Sequence, residues 1–166
     1  MIRAAKPADM EAIAALQIAS WRGAYRCLLS DEYLGQPVVD DLRAKWVGMD
    51  VSAEDILLVS ETDGDVDGFI YVICSRQPAY IDNLHVTPKR KRSGIGAALM
   101  RSAAQQMIDQ GVESVYLTVI TDNIPAVQFY EKMGGTRGPV QDEKLYGEPV
   151  TTYPITWTDL AQLRDA

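Results

Sequence analysis

The stretch from Tyr80 to Val119 constrains the fold more than any other part of the chain. Tyr80 to Val86 (YIDNLHV) is rich in β-formers and alternates in polarity, the period of a strand. Thr87-Pro88 ends it, because proline has no amide to give to a ladder. Four consecutive cations follow, Lys89 to Arg92, and then Ser93-Gly94-Ile95-Gly96. From Gly94 to Gln110 the residues Ile95, Leu99, Ala103 and Met107 form a helical stripe, closed by Gly111 as a C-terminal cap. A strand that passes through a short turn into a helix predicts a crossover. The next β-rich run, Glu113 to Val119 (ESVYLTV), therefore lies parallel beside the first.

The rest of the chain fits around this unit. Ile2 to Ala4 is a short strand, and Pro7 and Asp9 start a helix whose residues Ile13, Leu16, Ile18 and Trp21 share a broad apolar face up to about Tyr25. Residues 26 to 37 read as a loop with a short helical turn, and Val38 to Val47 as a second short helix. Ile56 to Ser60 and Val66 to Cys74 flank Asp63-Gly64, a strong hairpin signal, and form an antiparallel pair. Asn123 caps a helix to Met133 with Pro125 in its first turn, Gly134-Gly135 stops it, and strands near Lys144 to Tyr146 and Thr151 to Trp157 finish the chain. The order predicts an α/β fold: a mixed, largely antiparallel sheet with one parallel pair and helices on both faces.

With 166 residues, close to half of them apolar, the chain is expected to form one domain over residues 1–166 around a core that needs neither disulfide nor metal. A net charge of −7 argues against nucleic acid or an anionic membrane as partner, since both demand a cationic face. Cys27 and Cys74 lie far apart and outside any metal-ligand spacing. No apolar run reaches the length of a membrane span and the N-terminus has no signal-peptide pattern, so a cytoplasmic protein is expected.

The basic turn has the chemistry of an anion site. Glycine allows close approach to the backbone, the opening amides of a helix have no internal partner, and the helix dipole adds partial positive charge. A diphosphate suits it. The GxxxxG-Lys-Ser/Thr pattern of a P-loop is absent, and Leu99 stands where a dinucleotide fingerprint needs its third glycine. A merely solvated loop, or a nucleic-acid tract at Lys89 to Arg92, stays open on this segment alone.

Two blocks together carry a family resemblance. Val86-x-Pro88-x-x-Lys91-x-x-Gly94-Ile95-Gly96 resembles the acyl-CoA motif of the GNAT acetyltransferase superfamily, with Lys91 where Arg or Gln is usual. Leu117-x-Val119-x-x-x-Asn123-x-x-Ala126-x-x-Phe129-Tyr130-Glu131-Lys132-x-Gly134 resembles the family's later motif, in the family's order and spacing. The resemblance implies a GNAT-like fold whose parallel strands splay to admit the pantetheine arm, acetyl-CoA as co-substrate and no metal. It also implies an amine acceptor, from a small molecule or a peptide; many members pair as homodimers. The residues implied at the cofactor are Leu84, His85 and Val86 on the strand, Lys91, Arg92, Ser93, Gly94, Ile95, Gly96 and Ala97 at the turn, and Asn123, Ala126 and Phe129 on the later helix. Tyr130 is implied as general acid toward the CoA sulfur. Trp21 and Tyr25, in Ser20 to Arg26, resemble a segment that lines the acceptor pocket, and each also suits simple core packing.

A base must free the attacking amine, whose reference pKa is about 10.4 for a lysine-like group. Alternation along the strand puts Tyr80, Asp82, Leu84 and Val86 on one face and Ile81, Asn83 and His85 on the other. Asp82 is the first choice for base and acceptor contact; His85, facing away, is read as a packed strand residue. Gly134-Gly135 stands where many members have Gly-Phe, so an anchor for the following strand is expected to be missing. A noncatalytic acyl-CoA-binding module is the alternative reading.

Overall fold

The computed structural model describes residues 1–145 and 147–166. Its elements run β1 (Ile2–Ala4), α1 (Met10–Ala24), α2 (Gln36–Trp46), β2 (Ile56–Thr62), β3 (Asp65–Ile73), β4 (Ala79–Val86), α3 (Ile95–Asp109), β5 (Val115–Ile120), α4 (Ile124–Lys132), β6 (Thr136–Arg137), β7 (Gln141–Leu145), β8 (Glu148–Trp157) and α5 (Leu160–Asp165). Among the described residues the strands form one sheet in the order β1-β2-β3-β4-β5-β8-β6, with β7 on β8. Every pairing is antiparallel except β4 with β5.

Alternation of side chains builds a core on each face. Ile56, Leu58, Ile70 and Val72 pack with Leu99, Ala103 and Met107 of α3. Their neighbours Leu57, Val59, Phe69 and Tyr71 face Ile13, Ala14 and Leu16 of α1. An isolated helix as short as α2 is marginal in water. It is held by Val38, Leu42 and Trp46, spaced four apart on one stripe and all at most 1% exposed. It begins two residues before the expected Val38, because Pro37 sits in its first turn, where a missing amide costs nothing.

The Asp63-Gly64 hairpin is present, with both residues at positive φ, 54° and 89°. The late strands are longer than the sequence pattern suggests. β7 and β8 pair from Gln141 to Leu145, and Tyr146, expected to end the first of them, lies outside the described residues. The sequence reading omits β6 and α5; Asp159 caps α5 by accepting from the amides of Ala161 and Gln162.

The expected gap after α4 is filled differently. A Cβ on Gly135 would stand 2.4 Å from Ile155 Cγ2 and 2.8 Å from Trp157 Cζ2. The Trp157 indole donates to Met133 O at 3.0 Å and anchors this end of the sheet. A bare backbone at position 135 makes room for an aromatic supplied from β8.

The parallel pair is brief. Only Ala79 with Val115 and Tyr80 with Tyr116 are in register, and beyond them the strands part. On the other edge of β4 the register with β3 shifts between Tyr71 and Val72: Tyr71 faces Asn83 and Val72 faces Ile81, which leaves Asp82 as an extra residue. Such a bulge bends its strand and re-aims a side chain. It falls two residues after the last pair with β5, where the gap opens.

Candidate functional site

The gap is flanked by the turn into α3 and by α4. Arg92 and Gly94 have φ of 66° and 85°, and left-handed residues in such a turn can aim backbone amides into one concavity. The first helix-closing bond of α3 runs from Ala98 N to Gly94 O at 3.0 Å, so the amides of residues 95–97 have no intrahelical partner. Ser93 Oγ donates to Arg90 O at 2.6 Å and tightens the turn. Lys89 to Arg92 are exposed, and none takes part in an ion pair among the described residues. These groups fit a diphosphate, with open amides to bind it and free cations around it.

The turn is docked on α4. A Cβ at Gly96 would lie 3.4 Å from Phe129 Cζ and 3.8 Å from Val86 Cγ2, so the missing side chain lets Phe129 cover the helix start. Asn123 caps α4: its Oδ1 accepts from Ala126 N at 3.4 Å while its carbonyl accepts from Ala126 and Val127. Leu84, Ile95, Ala97, Ala126, Phe129 and Tyr130 all border the core on the α3 side. The structure thus brings together the implied cofactor residues of the two motif blocks, apart from His85.

Tyr130 packs edge-on against Phe129 and Trp157, at ring separations of 5.2 and 6.1 Å. Its hydroxyl has no hydrogen-bond partner among the described residues. Burial pushes its pKa well above the ordinary tyrosine value, and nearby Tyr25 and Tyr80 push in the same direction. At neutral pH it is a phenol with a proton to give.

Tyr25 is half-buried at the end of α1 and meets Trp21 edge-on at 5.2 Å. Trp21 itself is 7% exposed, in a small core with Leu29, Leu34 and Leu42. Tyr25 is the more exposed of the two.

The bulge overturns the expected strand faces. Ile81 and Leu84 lie together on the α3 side. Asp82 is turned to the α1–α2 side, where its Oδ2 accepts from Lys45 Nζ of α2 at 2.9 Å and from Asn83 Nδ2. His85 is on that side too, its ring against Phe69 and Nδ1 2.9 Å from Ser20 Oγ. Asp82 and His85 are therefore neighbours, contrary to simple alternation, while His85 is packed in the strand as expected.

Ser20, His85 and Asn83 have the outline of a nucleophile, base and orienter. Burial, helped by Lys45 and Lys91, pushes the His85 pKa down to about 4, so the imidazole is a weak acceptor for a hydroxyl proton. The same shift ties His85 to stability. Because the folded value lies below the ordinary 6.5, the stabilisation is complete above that pH and is lost as pH falls toward 4. His85 is the chain's single histidine. Urea unfolding should show about 2 kcal/mol less stability at pH 5 than at pH 7, a loss that a His85→Asn variant flattens.

Sequence reasoning missed Gln17, Ser20 and Lys45. Gln17 did leave a signal, as a polar residue midway between Ile13 and Trp21 on the buried stripe of α1.

Comparison with known proteins agrees with this geometry. The family model described as acetyltransferase (GNAT) family matches residues 15–135, more than half of the chain. An uncharacterized N-acetyltransferase of Bacillus subtilis (strain 168), YuaI, is 27% identical over 168 residues, 98% of this chain and 95% of that one. Streptothricin acetyltransferase of Streptomyces lavendulae is 38% identical over 74 residues, 43% of this chain and only 39% of that relative. Among solved structures, the PaiA N-acetyltransferase from Thermoplasma acidophilum in complex with coenzyme A superposes with a TM-score of 0.74 at 22% identity, covering 92% of this chain and 96% of that one. The ribosomal-protein-alanine N-acetyltransferase from Brucella melitensis reaches 0.76 at 16% identity, covering 96% and 99%. Motif blocks, parted parallel strands and a family match across the same residues converge: this chain belongs to the GNAT family of acetyltransferases.

Proposed function

We propose that the protein transfers the acetyl group of acetyl-CoA directly to a primary amine of a small molecule or peptide while both are bound. The observation that carries this reading is the protonated Tyr130 hydroxyl on α4, without a hydrogen-bond partner among the described residues, on the helix docked on the amide-rich turn through Phe129 and Gly96. Amides of Arg92, Gly94, Ile95, Gly96 and Ala97 hold the diphosphate, and Lys91 adds charge without the planar fork of an arginine. Amides of β4 facing the gap polarise the thioester carbonyl. Asp82 takes the proton of the attacking amine; as the carbon–sulfur bond breaks, Tyr130 gives its proton to the departing sulfur. Tyr25 and Asp82 meet the acceptor, with Trp21 behind Tyr25.

The test is release of free CoA thiol from acetyl-CoA with spermidine, an aminoglycoside, lysine and an unblocked peptide. Turnover that requires one of these amines supports the proposal. Tight acetyl-CoA binding without amine-dependent release in a broad screen would make the protein a noncatalytic acyl-CoA-binding module.

A further inference from the structure

We propose that Gln17 is a positioning residue for the reaction, fixing through Asn83 which oxygen of Asp82 is free to take a proton. The inference rests on Asp82 as the base.

Trp46 Nε1–H has no acceptor character, and it lies 2.6 Å from the Gln17 amide, so Oε1 must be the Gln17 atom facing it. That leaves Gln17 Nε2 to donate to Asn83 Oδ1 at 2.8 Å. With its oxygen so engaged, Asn83 must direct Nδ2 to Asp82 Oδ2. The polarity of the chain is thus set by the indole and ends on a carboxylate oxygen as acceptor. His85 agrees: Nε2 lies 3.3 Å from Asn83 Oδ1 and must carry the proton, which leaves Nδ1 to accept from Ser20.

Trp46, Gln17 and Asn83 are 0%, 2% and 5% exposed. In such surroundings an unpaired polar atom is costly, so the chain has little freedom to rearrange. Asp82 Oδ2 is occupied twice, by Asn83 and Lys45. Among the described residues no donor reaches Oδ1, which is the oxygen left to accept a proton.

Among the described residues few titratable or charged groups surround Asp82. Lys45 comes from α2, Tyr71 from β3, and Tyr80 and His85 from its own strand. Burial holds both tyrosines protonated, Tyr71 donates to Asp55, and His85 is neutral at pH 7, so Lys45 is the charged partner. Lys45 has 37% of its side chain exposed, and the buried amide chain is what gives the carboxylate a fixed direction.

Gln17→Met keeps the length and removes both hydrogen-bonding functions. Asn83 can then rotate and present its oxygen to Asp82, which favours the protonated carboxyl. With the best acceptor of the amine panel, the acid limb of the kcat profile should move up by about one pH unit, which lowers kcat up to about tenfold at pH values below the limb, with acetyl-CoA affinity unchanged. Trp46→Phe, which removes only the donor, should move the limb the same way by less. Asp82→Asn should abolish the limb; a limb that survives it removes the base reading and this proposal with it. If Asp82→Asn abolishes the limb while every folded variant of Gln17→Met and Trp46→Phe keeps wild-type kcat and pH profile, the positioning role is overturned and Asp82 stands alone. Loss of thermal stability with an unshifted limb, in either variant, also overturns it, because a purely structural glutamine predicts that result.

Discussion

With Tyr130 as the proposed general acid, Tyr130→Phe should lower kcat by about 100- to 1,000-fold and leave the Kd for acetyl-CoA within about twofold of wild type. The substitution removes one oxygen and keeps the ring that packs on Phe129 and Trp157, so α4 and the turn it covers are undisturbed. The hydroxyl has no partner among the described residues, so its removal leaves no buried group orphaned. Single-turnover assays beside calorimetry separate the two effects. A parallel loss of affinity and rate would mean that Tyr130 shapes the CoA site instead of donating a proton.

Gly94→Pro should weaken acetyl-CoA binding by about 100-fold, some 2.7 kcal/mol. Proline holds φ near −65°, whereas this residue sits at +85°, so the turn must reopen and the concavity of amides is lost. Two charge-assisted backbone hydrogen bonds at about 1.5 kcal/mol each account for a loss of that size. A Cβ at position 94 meets nothing within 4 Å, and the turn is exposed, so the cores on both faces should survive. Calorimetry on the variant, with circular dichroism to confirm the fold, reads the effect.

The parts of the fold legible in the sequence were those set by local chemistry. Asp63-Gly64 announces a hairpin because both residues accept positive φ, and Asn123 announces a helix start because its side chain can take an orphan amide. The crossover through α3 follows from strand, turn and helical stripe alone. What stayed hidden depends on partners far along the chain. Nothing in YIDNLHV marks Asp82 as an extra residue; the bulge exists only against β3, and it moved Asp82 to the side of Asn83 and His85. The link from Trp46 through Gln17 to Asn83 joins residues 29 and 66 positions apart, which no local periodicity reveals. The anchor missing after Gly134 was likewise supplied from a distance, by Trp157.

In the proposed reaction, main-chain amides where the basic turn enters α3 grip the diphosphate of CoA. Isothermal titration of the folded wild-type protein with CoA and with pantetheine, which has the same thiol arm but no diphosphate, tests it directly. CoA should bind at least about 100-fold more tightly than pantetheine, with the difference shrinking as salt is raised. Equal affinity for the two, or no measurable binding of CoA at millimolar concentration, would contradict the account.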